Sequence, residues 1–247
     1  MRKMILLLSA LLLLLASCSR KFGDLTPEES IFADTMVDMT WQQVKKAADD
    51  KAIVLLPKRA LEKKGIPVII APPYYWGMSE VNKHILGTFS VRADTFTAML
   101  FDIVSSLESW GFTEVFCANL HGDTTHNEVL DRSITEIRNE LNIGVYNIQT
   151  IGKSLASPPR FLPPRSGKFS PDYHAGADET AIMLSLYPQR VRTDIAEGLK
   201  PEASFDPLGY VGDPASYKLE KNAVENFRIN AEYGAQLIEA FLKKSRT

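Results

Sequence analysis

A parallel α/β sheet is the fold class this sequence predicts, and three observations predict it. Continuous apolar runs rich in β-branched residues recur at Ala52–Leu56, Val68–Ala71, Glu114–Ala118 and Val145–Ile148, as expected of strands buried on both faces. Longer stretches between them carry apolar residues at helical spacing. Strand and helix alternate along the chain, the order that joins parallel strands by crossover helices.

In chain order, Trp41–Asp49 predicts a short helix. Only Pro57–Ile66 separates the first two strands, at the lower limit for a crossover that must carry its own helix. Within it Lys58–Gly65 reads as the last two turns of a helix with its Gly cap, the tail of a longer crossover whose beginning is missing. From Phe96, the apolar residues Met99, Leu100, Ile103, Val104, Leu107 and Trp110 keep helical spacing, with Asp94 placed to cap and Gly111 to terminate. A helix over Thr125–Glu140 separates the last two strands. Leu155–Tyr173 carries Pro158, Pro159, Pro163, Pro164 and Pro171 and excludes regular structure; such loops in compact domains are usually functional or disordered. Ala177–Leu186 predicts a helix ended by Pro188, and Ser216–Lys244 a final amphipathic one.

The amino terminus reads as an export signal. Arg2 and Lys3 precede the apolar Met4–Leu15, which is too short to span a bilayer comfortably. The run closes on Leu15-Ala16-Ser17-Cys18, which resembles the bacterial lipobox, so residues 1–18 read as a lipoprotein signal and Cys18 as the lipidation site. The alternative is an ordinary secretory signal with an incidental Cys. Acyl chains contribute ~0.8 kcal/mol per buried methylene, enough for several to anchor the chain firmly. Ser19, rather than Asp, after that Cys favours the outer membrane, facing the periplasm, over the inner one. Residues 19–40 then form a polar tether and 41–247 one α/β domain, a size that 45% hydrophobic content suits. Cleavage removes Arg2 and Lys3 from 28 basic against 30 acidic residues, and the mildly acidic remainder has no basic run to suggest nucleic acid. With Cys18 lipidated, Cys117 is the one remaining thiol; it sits in an apolar run, as a buried hydrophobe rather than a nucleophile.

Two segments carry candidate chemistry. Asn119-Leu120-His121-Gly122-Asp123 follows a buried strand and precedes a helix, where ligands bind in open parallel sheets. An imidazole and a carboxylate two residues apart can both turn toward one zinc or manganese ion. Alone, the pair also fits a helix-capping Asp beside a hydrogen-bonded loop His. His126 reads as a first-turn helix residue with no special role. The second segment, His174-Ala175-Gly176-Ala177-Asp178-Glu179-Thr180, puts a His before a small-residue turn and a Glu in a helix's first turn. That Glu also suits the positive helix end with no further role.

Together the two segments match the late Asn-x-His-Gly and His-Ala-Gly-x-x-Glu-Thr signatures of the creatininase (creatinine amidohydrolase) family. Pro72-Pro73-Tyr74-Tyr75-Trp76-Gly77-Met78-Ser79, Gly87-Thr88-Phe89-Ser90 and Gly212-Asp213-Pro214 resemble further stretches of it, in order, from about residue 41 onward. The resemblance implies a layered αβα domain with a mainly parallel sheet, usually assembled into homo-oligomers (hexamers). It also implies hydrolysis of small, often cyclic, C–N amide bonds with two metals, commonly zinc and manganese. By that resemblance His121, Asp123 and Glu179 are metal ligands, and His174 is the catalytic residue that moves a proton near the leaving nitrogen.

The chain also departs from the family. A Gly-Ser-x-Glu-x-His-Gly stretch leading to Thr-Asp is expected after Pro57, where this sequence runs Lys58-Arg59-Ala60 and supplies none of those ligands. Asn82 stands where the family often has His, and Thr124 where it often has Asn. His121, Asp123 and Glu179 would hold at most one metal, by the three-ligand count of a catalytic zinc, and possession of none is the other expectation. Two readings follow: an amidohydrolase with an impaired site, or a non-catalytic creatininase-like lipoprotein that binds a small ligand or partner. In the second, Tyr74, Tyr75, Trp76 and Phe89 would line an apolar cleft.

Overall fold

The computed structural model describes residues 35–54, 61, 64–72, 76–119, 121–155, 174–204, 209–219 and 223–245. Four strands form one all-parallel sheet: β1 (Ile53–Val54), β2 (Val68–Ile69), β3 (Glu114–Cys117) and β4 (Gly144–Asn147), in the order β2-β1-β3-β4. Val54 stands between Ile69 and Val115, and β3 pairs with β4 from Glu114 opposite Gly144 to Cys117 opposite Asn147. The chain leaves β1 toward one edge and returns through β3 on the other side. That reversal of strand order opens a crevice at the carboxyl ends of β1 and β3, where ligands of open α/β sheets bind.

Helices cover both faces. The described helices are α1 (Trp41–Asp49), α2 (Ala93–Ser109), α3 (Thr124–Glu140), α4 (Ile148–Ile151), α5 (Ala177–Leu186), α6 (Thr193–Ala196) and α7 (Ala223–Ser245). Because side chains alternate across a strand, Val54, Ile69, Val115 and Val145 pack in one core with Ala48 of α1, Val104 and Leu107 of α2, and Ile134 and Ile137 of α3. Ile53, Val68 and Phe116 turn to the opposite face and meet Ala235, Leu237, Ile238 and Leu242 of α7. This is the expected layered αβα arrangement. Residues 35–39 also pack on the domain: Met36 donates its N–H to Ile70 O at 2.7 Å, and Met36 and Met39 lie against the first core.

Local signals account for most boundaries. Thr40 and Gln43 form a reciprocal capping box at the start of α1. Helix α2 ends at Gly111, whose φ of +94° fits the left-handed stop; Phe112 N–H reaches Leu107 O, and Gly111 N–H reaches Glu108 O. At its start, however, Arg92 holds the N-cap position without a side-chain bond, and Asp94 lies inside the first turn. Its carboxylate there favours the positive helix end instead of capping it. Strand β4 stops at Asn147, whose side chain accepts from Gln149 N–H at 3.0 Å and starts α4, so Ile148 is helical rather than extended. The expected final helix is divided: Pro214–Leu219 is a 3-10 turn, and α7 begins at Ala223. In the short crossover Leu61 is helical and fully buried, and Gly65 has φ +71° as its cap reading requires; residues 55–60 and 62–63 lie outside the described residues. Also outside them fall the expected signal and tether as far as residue 34, Tyr74, Tyr75, Leu120 and the proline-rich stretch 156–173. Among the described residues no helix is long and apolar enough to cross a membrane.

Candidate functional site

From the carboxyl end of β3 the chain enters a loop fixed by two amide side chains. Asn119 accepts from His121 N–H at 3.1 Å and donates to Asn127 Oδ1 at 2.7 Å. Asn127, in the first turn of α3, donates in turn to the carbonyls of His121 (3.0 Å) and Asp123 (2.8 Å). These bonds tie the backbone of His121 and Asp123 to the start of α3.

Both histidines of this region engage the backbone of Met78. His121 Nε2 lies 2.9 Å from Met78 O, and a carbonyl only accepts, so in the neutral ring that nitrogen carries the proton and Nδ1 is the bare one. Met78 N–H donates to His126 Nδ1 at 3.3 Å, which leaves the neutral His126 proton on Nε2. The rings sit 5.1 Å apart, edge to face, and His126 also meets Phe96 at 4.9 Å. Burial, reinforced by the charge His121 can carry, holds His126 below its ordinary value of 6.5, with Asp123 opposing in part. Gly77 lies close beside it: a Cβ there would stand 3.2 Å from the His126 ring, which would have to shift by a few tenths of an ångström.

Asp123 is 7% exposed and caps α3. Its Oδ1 accepts from His126 N–H at 3.1 Å and its Oδ2 from Val81 N–H at 3.2 Å. Burial alone would raise its carboxyl; backbone N–H groups of His126, Val81 and Glu80 outweigh that and hold it below 3.8. The segment it grips is further fixed where Ser79 N–H donates to Ser90 Oγ (2.8 Å) and Val91 N–H to Gly77 O (3.1 Å). Asn82 is buried here, and its Oδ1 has no hydrogen-bond partner among the described residues.

The second segment is anchored differently. His174 pairs with Val211 as an antiparallel bridge, and Glu202 with Gly212, so the stretch before Asp213 and Pro214 lies beside the His174 turn. Ala175 has φ +49°, and its N–H donates to Glu179 Oε2 at 2.6 Å. That oxygen is 3.9 Å from His174 Nδ1, with both side chains about half exposed.

His121 and His174 line one cavity of about 580 Å³, together with His126, Asn82, Phe96, Leu130 and Cys117. Trp76 and Phe89, both exposed and packed edge to face at 5.4 Å, are part of its wall. Burial pushes the Cys117 thiol up to about 12, so it is protonated and unreactive at neutral pH. Asp123 and Glu179 are not part of this lining. Among the described residues no three His, Cys, Asp or Glu side chains are gathered so as to hold a metal ion. Both Asp123 oxygens already accept backbone N–H groups. As arranged, the donor set does not fit a zinc or manganese ion.

His126 is the residue sequence reasoning missed. Its signal was present in the helical spacing of His126, Val129, Leu130, Ser133, Ile134 and Ile137, the buried face of α3.

A parallel α/β sheet with a histidine-lined cavity at its carboxyl edge defines an α/β protein with a candidate ligand site at the switch point. The family model described as "Creatininase: Creatinine amidohydrolase" matches residues 58–246, and the chain belongs to that family. A mycofactocin precursor peptide peptidase of Mycobacterium ulcerans (strain Agy99) is 28% identical over 179 residues, 66% of this chain; the chain spans 62% of that protein's length. The mycofactocin precursor peptide peptidase of Mycolicibacterium smegmatis (strain ATCC 700084 / mc(2)155) is 26% identical over 202 residues, covering 74% of this chain and 72% of that one. Among solved structures, a creatinine amidohydrolase (creatininase) aligns with TM-score 0.55 at 21% identity, over 83% of this chain and 95% of that one. A manganese creatininase aligns with TM-score 0.56 at 20% identity, over 86% and 98%. At these identities the structural likeness establishes the fold.

Proposed function

We propose that this chain receives a small amide, cyclic or linear, in the His121–His174 cavity, and that the hydrolysis its family performs is impaired. One observation carries the reading: the cavity keeps three histidines on its wall, while the carboxylates of Asp123 and Glu179 lie outside its lining and accept backbone N–H groups. Asp123 caps α3, and Glu179 holds the Ala175 turn. The first family signature would follow β1, at the switch point itself, and the sequence runs Lys58-Arg59-Ala60 there. In this reading the bare Nδ1 of His121 accepts from the amide N–H, His174 exchanges a proton at the amide nitrogen, and Trp76, Phe89 and Phe96 exclude water from the ligand's apolar body.

The test is metal content by plasma mass spectrometry on the chain from Ser19, purified without chelator, with amide binding followed by ligand-observed NMR. The expected result is a folded, metal-poor protein that binds small lactams and loses that binding in His174→Ala. About one zinc or manganese per chain, lost in His121→Ala and accompanied by amide turnover, would overturn the impaired-site reading.

The same proposal places the protein outside the cytoplasm as a lipoprotein anchored through Cys18, in the outer membrane, and assembled with copies of itself. Cys18→Ser is expected to release it into the soluble fraction, and sedimentation of the soluble chain to give a species larger than a monomer.

A further inference from the structure

We propose that the exposed face carrying Trp41 and Trp110 rests on the lipid surface to which the chain is tethered. Trp41 is 72% exposed and Trp110 51% exposed. The two indoles flank a groove of about 780 Å³ lined also by Met36, Val44 and Ile103. Trp side chains carry large apolar areas, and a contiguous patch of them on a monomer's surface marks an interaction site.

The inference rests on the Cys18 anchor, and the chain's path selects the occupant. Thr35 is buried and Met36 is bonded to Ile70 O, so the chain joins the domain at the groove's own edge. Residues 19–34 precede it and span at most ~55 Å. A patch at the foot of so short a tether meets the bilayer at high effective concentration, so weak contacts suffice. Amphipathic indoles are the side chains that settle at headgroup level. Charge does not drive this docking. Lys45 and Lys46, on the exposed side of α1, are neutralised by Asp49 at 2.9 Å and Asp50 at 2.6 Å. A zwitterionic surface is therefore sufficient, and attraction survives salt.

The test holds the chain from Ser19 on phosphatidylcholine vesicles through an N-terminal hexahistidine and nickel-chelating lipid, with brominated phosphatidylcholine as quencher. Trp76→Phe removes the third indole, leaving Trp41 and Trp110 to report. Emission is expected to fall to roughly half of the value in vesicles without nickel lipid and to shift blue, unchanged by salt that screens surface charge. Trp41→Phe and Trp110→Phe each remove part of the quenched signal. Unquenched emission from the tethered protein overturns the inference. So does protection of both indoles from aqueous acrylamide that grows with protein concentration, which would give the face to a second copy. Because nickel lipid replaces acylation, failed quenching strikes this inference alone, whereas Cys18→Ser remaining on the membrane strikes the anchor.

Discussion

Replacing Asp123 with Ala separates a capping carboxylate from a metal-binding one. The side chain satisfies His126 N–H at 3.1 Å and Val81 N–H at 3.2 Å from a position 7% exposed, so the substitution leaves both donors without their acceptor. Losing an Asp N-cap costs about 0.5–2 kcal/mol. Leaving a buried donor unpaired costs about 1–3 kcal/mol more, so the expected total is about 1.5–5 kcal/mol. For a domain of this size that lowers Tm by about 3–20 °C. Asp123→Asn keeps one oxygen at the cap, where Asn serves nearly as well, but turns an NH2 toward Val81 N–H, so it is expected to lose about 1–3 kcal/mol, less than the Ala variant by the cap's share. The assay is urea denaturation of both variants and the parent, with the midpoint moving at constant m-value. Asp123→Ala within about 0.5 kcal/mol of the parent would refute the capping role. So would an Asn variant as damaged as the Ala variant, since a metal ligand tolerates neither while a cap tolerates Asn.

His126, held below 6.5 by burial, is neutral in the folded protein and gains a proton more readily once unfolded. Its contribution is therefore fully present above 6.5 and is lost as pH falls from there; His126→Asn should lower stability at pH 7 and flatten the acid limb seen in urea midpoints. Asp123 acts at lower pH in the same direction: its depressed carboxyl contributes stability above 3.8 that is lost as pH falls through the folded value. Gly111→Ala should cost about 1–2 kcal/mol from backbone strain alone, because φ is +94° and the added Cβ meets only Ala48 at 4.0 Å. Rapid, native-like unfolding kinetics with no loss of stability would contradict this. Cys117, pushed up to about 12, should resist iodoacetamide at pH 8 in the folded protein and react on unfolding, read as one added carbamidomethyl group by mass.

The layering of this protein was legible in its residues because burial imposes periodicity. The described part of the first run, Ala52–Val54, is buried on both faces, and the spacing from Phe96 to Trp110 commits one helix face to the core. Glycine at 111 needed no tertiary information either, since only local backbone geometry selects it. The boundary of β4 was misplaced by one residue because Asn147 caps the next helix with its own side chain, a bond that apolar pattern does not carry. The division before α7 went unseen for a similar reason: amphipathic spacing continues through Pro214–Leu219 although the backbone there is a 3-10 turn.

The site divides along the same line. Family motifs located His121, Asp123, His174 and Glu179, and the sequence alone established that the expected Glu, His and Asp do not follow Pro57. What those retained residues do with their polar atoms was decided only in three dimensions. A carboxylate two residues from a histidine reads as a ligand pair along the chain; folded, the Asp123 oxygens face backbone N–H groups of His126 and Val81. His126, unremarkable in sequence, becomes part of the cavity because α3 turns that face inward toward Phe96 and Met78. Residue identity and order determine which chemistry is available; the packing of segments 42 to 48 residues apart determines which lone pairs are still free to perform it.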